Sequence, residues 1–288
     1  MRFEKYTLQL GTCNLRPCRK MRSKKKSPEI VTLITDFGKK GEYSGAMKGA
    51  ILRVNPRCQV VDITHEIEPQ NILQASWTLK NSYSYYPPGT IHIVVADPGV
   101  GTARRAIVLQ QEEYFFVGPD NGVFTWVLSR EAGGSAYEIT KRNFFLSPPS
   151  DTFQGRDIFA PVAGHLSLGL EPRFLGPRVR DPVTIDWPSP RLSKSALEAM
   201  ILWADSFGNL ITNVYRQEYG PRMEGRPILI KGRGWRIDQI HRTYGASRAG
   251  QPVALFGSGG LLEISVNRGN AFNALGLKPG NPVTIKLL

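Results

Sequence analysis

The sequence predicts an α/β domain with a mostly parallel sheet and helices on both faces, followed by a smaller, barrel-like all-β domain. From residue 29 onward, apolar runs alternate with helix-like segments, as in a parallel sheet. A proline-rich break covers 175–191. Short strands between Gly, Pro and Asn turns follow it. We therefore expect a basic, disordered tail at 1–28, an α/β domain at 29–178, a linker at 179–194 and a β domain at 195–288.

The first domain is predicted element by element from its apolar periodicity. Tyr43 to Val54 carries Met47, Ile51 and Val54 on one side, which is typical of an amphipathic helix. Further helices are expected around 71–81 and 159–169. The predicted strands are 30–34, 60–63, 91–96, 106–110 and 114–117.

The second domain contains only short apolar runs, each bounded by turn residues. The first of them, 196–203, is also the longest. The other predicted strands are 210–214, 227–230, 252–256, 261–266 and 282–285.

The net charge of +13 is concentrated at the N-terminus, where residues 1–28 hold nine Lys and Arg against one Glu. An upstream start codon, with Met21 as the true beginning, accounts for this segment. A tether to nucleic acid or to an anionic membrane is the alternative. A basic tail alone identifies no partner, so no nucleic-acid partner is expected.

The remaining composition indicates an ordinary globular protein of the cytoplasm. No apolar run is long enough to span a bilayer, so no membrane association is expected. The three cysteines, Cys13, Cys18 and Cys58, form no disulfide framework, which suits a reducing compartment. None has metal-site spacing with histidine, so no metal is expected.

The most informative motif is Ala96-Asp97-Pro98-Gly99-Val100-Gly101-Thr102-Ala103-Arg104-Arg105, which follows an apolar strand directly. Loops at the carboxyl ends of strands in open α/β sheets are where ligands bind. Asp97 and Arg104 could face each other there across a small pocket.

Six further segments share this motif's character of charged, aromatic or polar groups beside glycines or strand ends. Together the seven segments, in the order in which they occur along the chain, resemble those of the S-adenosylmethionine (SAM) hydrolases, which are also called SAM hydroxide adenosyltransferases. The fluorinating and chlorinating SAM enzymes are relatives of this family. The resemblance runs from about residue 29 to the C-terminus. The segments are Thr32 to Gly38, Val61 to His65, Pro119 to Gly122, Asp151 to Pro161, Asp205 to Asn213, and Ser258 to Ile264.

The resemblance implies an α/β domain joined to a β-barrel domain, a homotrimer with active sites between subunits, and hydrolysis of SAM to adenosine and L-methionine without a cofactor. Asp97 and Arg104 match the family's catalytic Asp and Arg, to which we assign water activation and water orientation. The family's third catalytic residue is a histidine, where this chain has Gln154. Glutamine forms hydrogen bonds but takes up no proton near neutral pH.

The substrate-binding residues implied by the resemblance come from both domains. Asp36 would bind the ribose hydroxyls. The family often has an aspartate where this chain has Gly41, so either the adjacent Glu42 supplies the charge for the methionine ammonium or that contact is lost. From the second domain, Asp205 would bind the ammonium and Ser258 the methionine carboxylate. Phe153 and Gly155 also belong to this substrate-binding set. Phe207 would offer its ring face to adenine, and the Asn209 amide would pair with the adenine edge.

Two alternative functions are considered. A SAM or adenosine binder without turnover would explain Gln154, although binding alone does not need the Asp97 and Arg104 pair. A SAM-dependent halogenase would have to bind a halide beside the negative charge of Asp97, at a cost on the order of 4 kcal/mol.

Overall fold

The computed structural model describes residues 29–128 and 133–288. The prediction of a disordered tail concerns residues 1–28 and so lies outside these ranges. None of the helices within them is long and apolar enough to cross a membrane.

The first domain is built on a seven-stranded sheet with the order β2-β1-β3-β5-β4-β6-β7. The first four strands in this order run parallel, and β4, β6 and β7 pair antiparallel. This arrangement confirms the predicted mostly parallel sheet. The strands are β1 (Ile30–Thr35), β2 (Gln59–Thr64), β3 (Ile91–Val95), β4 (Ala106–Gln111), β5 (Tyr114–Pro119), β6 (Ser135–Glu138) and β7 (Arg178–Val179).

Helices cover both faces of this sheet, as predicted. On one face, α1 and α4 pack over apolar side chains such as Leu33 and Ile93. On the other, α2 and α3 pack over Ile34 and Val94. The helices are α1 (Tyr43–Val54), α2 (Ile72–Ser82), α3 (Thr125–Leu128) and α4 (Ala160–Ser167), and a π-helical turn, Gly155–Phe159, leads into α4. Because both faces are covered, β1 and β3 are buried along their whole length.

The side chain of His92 is fully buried in the middle of β3. Its Nδ1 lies 2.7 Å from Thr32 Oγ1, and its ring stacks on Phe116 at a centroid distance of 5.3 Å. Burial lowers the pKa of His92 to about 3, because a charged imidazolium would be desolvated here. This environment indicates a structural role for His92.

The second domain is a strongly curled nine-stranded sheet with the order β12-β11-β16-β9-β10-β15-β14-β13, and β8 pairs with β9. Since β12 also packs against β14, the sheet nearly closes on itself, as the barrel-like prediction requires. Along β9, burial alternates with period two, so Leu197, Ile201 and Trp203 are buried. The strands are β8 (Arg191–Leu192), β9 (Ala196–Ala204), β10 (Leu210–Tyr215), β11 (Ile228–Gly232), β12 (Trp235–Ile237), β13 (Ile240–His241), β14 (Pro252–Phe256), β15 (Leu261–Val266) and β16 (Pro282–Leu287).

The sequence did not predict two short helices of this domain, α5 (Arg216–Met223) and α6 (Ala271–Ala274). Gly220 and Pro221 lie inside α5 and obscure its periodicity. The proline-rich stretch also contains β7, which pairs with β6 and so belongs to the first sheet.

An aromatic cluster joins the two domains. Trp77 of α2 lies 5.0 Å from Trp187 and 5.4 Å from Trp126, measured between ring centroids. Tyr215 of β10 packs edge-on against Trp77, and the Lys80 ammonium lies 3.9 Å from the centroid of the Trp77 ring. The second domain is therefore held against α2 and α3 by edge-on and tilted ring contacts, and by the Lys80 ammonium, which also lies 4.6 Å from the centroid of the Tyr215 ring.

Candidate active site

Asp97 and Arg104 form a buried ion pair at the carboxyl edge of the parallel sheet. Arg104 Nε donates to both carboxylate oxygens of Asp97, at 3.1 and 3.0 Å, and Nη2 donates to Oδ2 at 2.5 Å. Their side chains are 4% and 11% exposed, respectively. A pair this deeply buried is stable only with such close geometry, so the two groups are fixed relative to each other.

Gln154 completes this group. Its Oε1 accepts a hydrogen bond from Arg104 Nη2 at 2.5 Å. The segment that carries Gln154 lies against the Asp97 loop at Gly101, where φ is +77° and an added Cβ would come within 2.8 Å of the Asp151 carbonyl. The structure thus brings together the three residues predicted to be catalytic.

Asp36 lies beside this group, because β1 and β3 are neighbouring parallel strands. Its backbone N–H donates to the Val95 carbonyl at 3.2 Å, and its Oδ2 accepts from the Gln70 backbone N–H at 2.8 Å. Burial raises the pKa of Asp36, and the negative charge of Asp97 adds to the shift. The two carboxylates therefore face the same small region.

An aromatic wall lines this region. Phe153 packs edge-on against Tyr43 at 5.1 Å and against Phe37 at 5.8 Å, measured between ring centroids. Gly155 is buried behind the rings, and a Cβ there would lie 3.3 Å from Met47 Sδ. The sequence did not single out Phe37 or Tyr43, although Phe37 directly follows Asp36.

Glu42 occupies the N-cap position of α1, immediately before Tyr43. Its side chain forms no capping hydrogen bond and is exposed to solvent. Glu42 is therefore next to the aromatic wall in the sequence, and its carboxylate is in solvent.

A second group of predicted residues lies on the β domain, in the turn between β9 and β10. Asp205 Oδ1 accepts from the backbone N–H groups of Phe207 and Asn209, at 2.9 and 2.8 Å. Asp205 Oδ2 accepts from Asn209 Nδ2 at 2.8 Å. Gly208, with φ of +81°, lets the turn approach the Asn270 side chain closely. The turn is rigid at its base and leaves the Phe207 ring 76% exposed at its tip.

Ser258 is exposed in the turn between β14 and β15. Near that turn, the Tyr244 hydroxyl donates to Glu263 Oε2 at 2.5 Å. Burial raises the pKa of Glu263, and the charge of Asp205 contributes to the same shift. Sequence reasoning missed Tyr244, which follows β13, a strand of only two residues.

The two groups remain separate within one chain. Among the residues that the structure describes, no hydrogen bond, ion pair or ring contact joins the Asp97 group to the Phe207 turn. One group offers two carboxylates and a guanidinium, and the other offers an exposed aromatic face with polar neighbours.

Both domains match family models for the SAM hydroxide adenosyltransferases. The model of the N-terminal domain matches residues 31–176, and that of the C-terminal domain matches 199–284.

Similar proteins carry consistent names. The chain is 39% identical over 271 residues to an (R)-S-adenosyl-L-methionine hydrolase of Thermus thermophilus, covering 88% of this chain and 98% of that one. An enzyme of the same name from Salinispora tropica is 33% identical over 258 residues, with 88% and 97% covered. A fluorinase of an Actinoplanes species is 23% identical over 288 residues, with 89% and 97% covered.

A solved structure shows the same fold. A crystal structure of an uncharacterized conserved protein from Thermotoga maritima superposes with a TM-score of 0.79 at 36% identity, covering 89% of this chain and 99% of the other. Together with the two matched domains, this shows that the chain belongs to the SAM hydroxide adenosyltransferase family.

Proposed function

We propose that this protein hydrolyses S-adenosyl-L-methionine to adenosine and L-methionine by attack of water at C5′ of the ribose. The observation that carries the proposal is the contact of Asp97, Arg104 and Gln154 in one buried group beside Asp36. Relatives at 32–39% identity, named (R)-S-adenosyl-L-methionine hydrolase, give further support.

The reaction requires the protein mainly to position a water molecule and to accept a proton from it. The water oxygen forms a bond to C5′ as the C5′–S bond breaks, and the bonding electron pair leaves with sulfur. Because a sulfonium departs as a neutral thioether, no general acid, metal or cofactor is needed. Asp97 accepts the water proton, and Arg104 holds that carboxylate and orients the water in line with the C5′–S bond.

Residues of both groups would hold the substrate. Asp36 binds the two ribose hydroxyls, while Phe153 and Gly155 shape the pocket beside it. Phe207 stacks on adenine, and Asn209 accepts from its amino group through Oδ1, since Nδ2 is bonded to Asp205.

The methionine part of SAM is held through its charged ammonium and carboxylate groups. Asp205 and Glu42 attract the ammonium, and Ser258 donates to the carboxylate. These groups lie at exposed or half-buried positions, where a charged ligand end remains partly hydrated.

We propose a homotrimer in which the Asp97 group of one subunit meets the Phe207 turn of its neighbour. The exposed Phe207 ring and the separation of the two groups within one chain support this arrangement. A mixture of Asp97→Asn and Phe207→Ala subunits tests it. Mixed trimers contain one site with both intact halves, so activity at a SAM concentration too low to saturate Phe207→Ala should rise on mixing. Sites formed within one chain would give no recovery.

The deciding experiment is incubation of the purified protein with SAM, with products separated by chromatography. Release of adenosine and methionine in equal amounts is the expected result. Calorimetric binding of SAM without release would favour the second candidate, a SAM-binding protein, which Gln154 specifically suggests. A 5′-halogenated adenosine formed with chloride or fluoride would indicate a halogenase instead.

A cytoplasmic location is also proposed, because the low cysteine content suits a reducing compartment.

A further inference from the structure

Two consecutive residues, Asp120 and Asn121, hold both ends of the loop that carries Asp97 and Arg104. They follow β5, whose carboxyl end lies next to that of β3 because the two strands are parallel. Asn121 Nδ2 donates to the Ala96 carbonyl at 2.9 Å. Ala96 is the residue immediately before Asp97, so this bond fixes the backbone where Asp97 leaves the strand.

Asp120 holds the other end of the loop. Its backbone N–H donates to the Arg105 carbonyl at 2.9 Å, and its Oδ2 accepts from Arg105 Nε at 2.7 Å. The Asp120 side chain is only 2% exposed. The same Arg105 carbonyl accepts from Arg104 Nη1 at 3.4 Å. The backbone that Asp120 fixes is therefore in direct contact with the Arg104 guanidinium.

Asp120, its ion-pair partner Arg105 and the adjacent Gly122 also contact the segment between the domains. Asp120 Oδ1 accepts from the Val183 backbone N–H at 2.8 Å, and Arg105 Nη1 donates to Asp181 Oδ1 at 2.9 Å. Gly122 lies directly under Ile185, since an added Cβ would come within 2.3 Å of its Cγ2. This packing holds Asp120 and Asn121 in place from the side opposite the loop.

We infer that Asp120 and Asn121 are positioning residues for the reaction, and we name the pair the loop clamp. The inference rests on the proposed function. Neither residue touches the Asp97 carboxylate, but each bonds to the residue adjoining Asp97 or Arg104. Water attack requires the carboxylate within about 0.5 Å of its productive position, so the clamp maintains turnover rather than substrate affinity.

The test compares Asn121→Ala and Asp120→Asn with the wild-type protein and with a matched control, Asn55→Ala. Asn55 is also buried and bonded through its side chain, with Nδ2 donating to Ser167 Oγ at 2.9 Å, but it follows α1 at the opposite edge of the sheet. For the clamp variants, kcat should fall roughly 10- to 100-fold, because a displacement of the Asp97 carboxylate near 1 Å can lower the rate by up to about 100-fold. The KM for SAM should stay within about threefold of the wild-type value. Asn55→Ala should lower Tm and leave kcat within about twofold.

Hydrogen exchange followed by mass spectrometry gives a second measurement that does not depend on turnover. Amides of residues 96–105 should exchange faster in both clamp variants and at the wild-type rate in Asn55→Ala. Asp120→Asn preserves the shape of the side chain. The measurements on this variant therefore test the inference if Asn121→Ala does not fold.

Unchanged kcat in the clamp variants, a rise in KM alone, or an equal loss of kcat in Asn55→Ala would overturn the inference. If the wild-type protein releases no adenosine, the proposed function fails. The exchange measurement then still tests whether the loop clamp holds residues 96–105 in place. Unaltered exchange over 96–105 would overturn it in that case, and selectively faster exchange would support it.

Discussion

Arg104 Nη2 lies 2.5 Å from Gln154 Oε1. A guanidinium only donates hydrogen bonds, so the amide oxygen must face it, and the amide Nε2 is left to donate elsewhere. Gln154 therefore cannot accept the water proton through Oε1. It can hold a water by donating to the water oxygen, which leaves the water hydrogens free to point toward Asp97.

Gln154→His should leave the rate of adenosine release similar or modestly higher. A neutral histidine can accept from Arg104 with one ring nitrogen and donate with the other, so it reproduces the polarity of the glutamine. Steady-state kinetics of the two proteins provide the comparison. General-base assistance is worth roughly 10²–10⁴-fold, and a gain of that size from a wild-type protein near background would mean that the natural chain has given up catalysis.

Asp97→Asn should abolish adenosine release while SAM still binds. The substitution removes the proton acceptor and preserves the side-chain shape, so kcat should fall by roughly 10²–10⁴-fold. Chromatography measures the products and calorimetry measures binding. Asp151→Asn, an exposed carboxylate nearby, serves as the matched control and should retain turnover. Substantial turnover by Asp97→Asn would exclude this residue as the base.

Phe207→Ala should weaken binding of SAM and adenosine by roughly 1–3 kcal/mol, by analogy with stacked bases in nucleic-acid sites. Because the ring is 76% exposed, its removal should not lower Tm. Phe174→Ala, at a ring that is 53% exposed elsewhere on the α/β domain, is the control and should bind normally. Calorimetry with adenosine measures the effect, and an unaltered Kd for Phe207→Ala would remove this ring from the site.

The buried His92 should make the free energy of unfolding depend on pH. Its pKa is about 3 in the folded protein, against 6.5 for an ordinary histidine. Between these values the unfolded chain binds a proton that the folded protein does not, so stability rises with pH and is lost as pH falls from 6.5 toward 3. The slope from one such proton is about 1.4 kcal/mol per pH unit.

The histidine's share of this slope can be isolated with His92→Gln. The variant should be less stable overall but should show a shallower decline between pH 6.5 and about 4, measured by urea denaturation at each pH. Parallel curves for the two proteins would show that the imidazole does not titrate in this window.

Local pattern was sufficient to predict much of the fold and half of the site. The period-3.6 stripe on 43–54 predicted α1 with its observed bounds, Tyr43–Val54. The turn after β3 predicted that Asp97 and Arg104 would face each other, because both belong to one short loop at a strand end.

Contacts between distant segments were not predictable in the same way. Tyr244 meets Glu263 because β13 and β15 lie on either side of β14 in the second sheet, an order that no local periodicity encodes. The contact of Asp120 with Val183 depends on the path of a proline-rich segment without regular structure. Such contacts are set by tertiary packing, which overrides local preference.

The aromatic cluster between the domains makes intrinsic fluorescence a selective probe. Four of the five tryptophans, Trp77, Trp126, Trp187 and Trp203, pack together there, and the fifth, Trp235, lies within the β domain. Emission should therefore change when the two domains separate, whereas circular dichroism responds to loss of helix and strand. Denaturation curves recorded by the two methods coincide only if separation and unfolding are one transition. An earlier fluorescence midpoint would reveal a species whose domains are folded and apart.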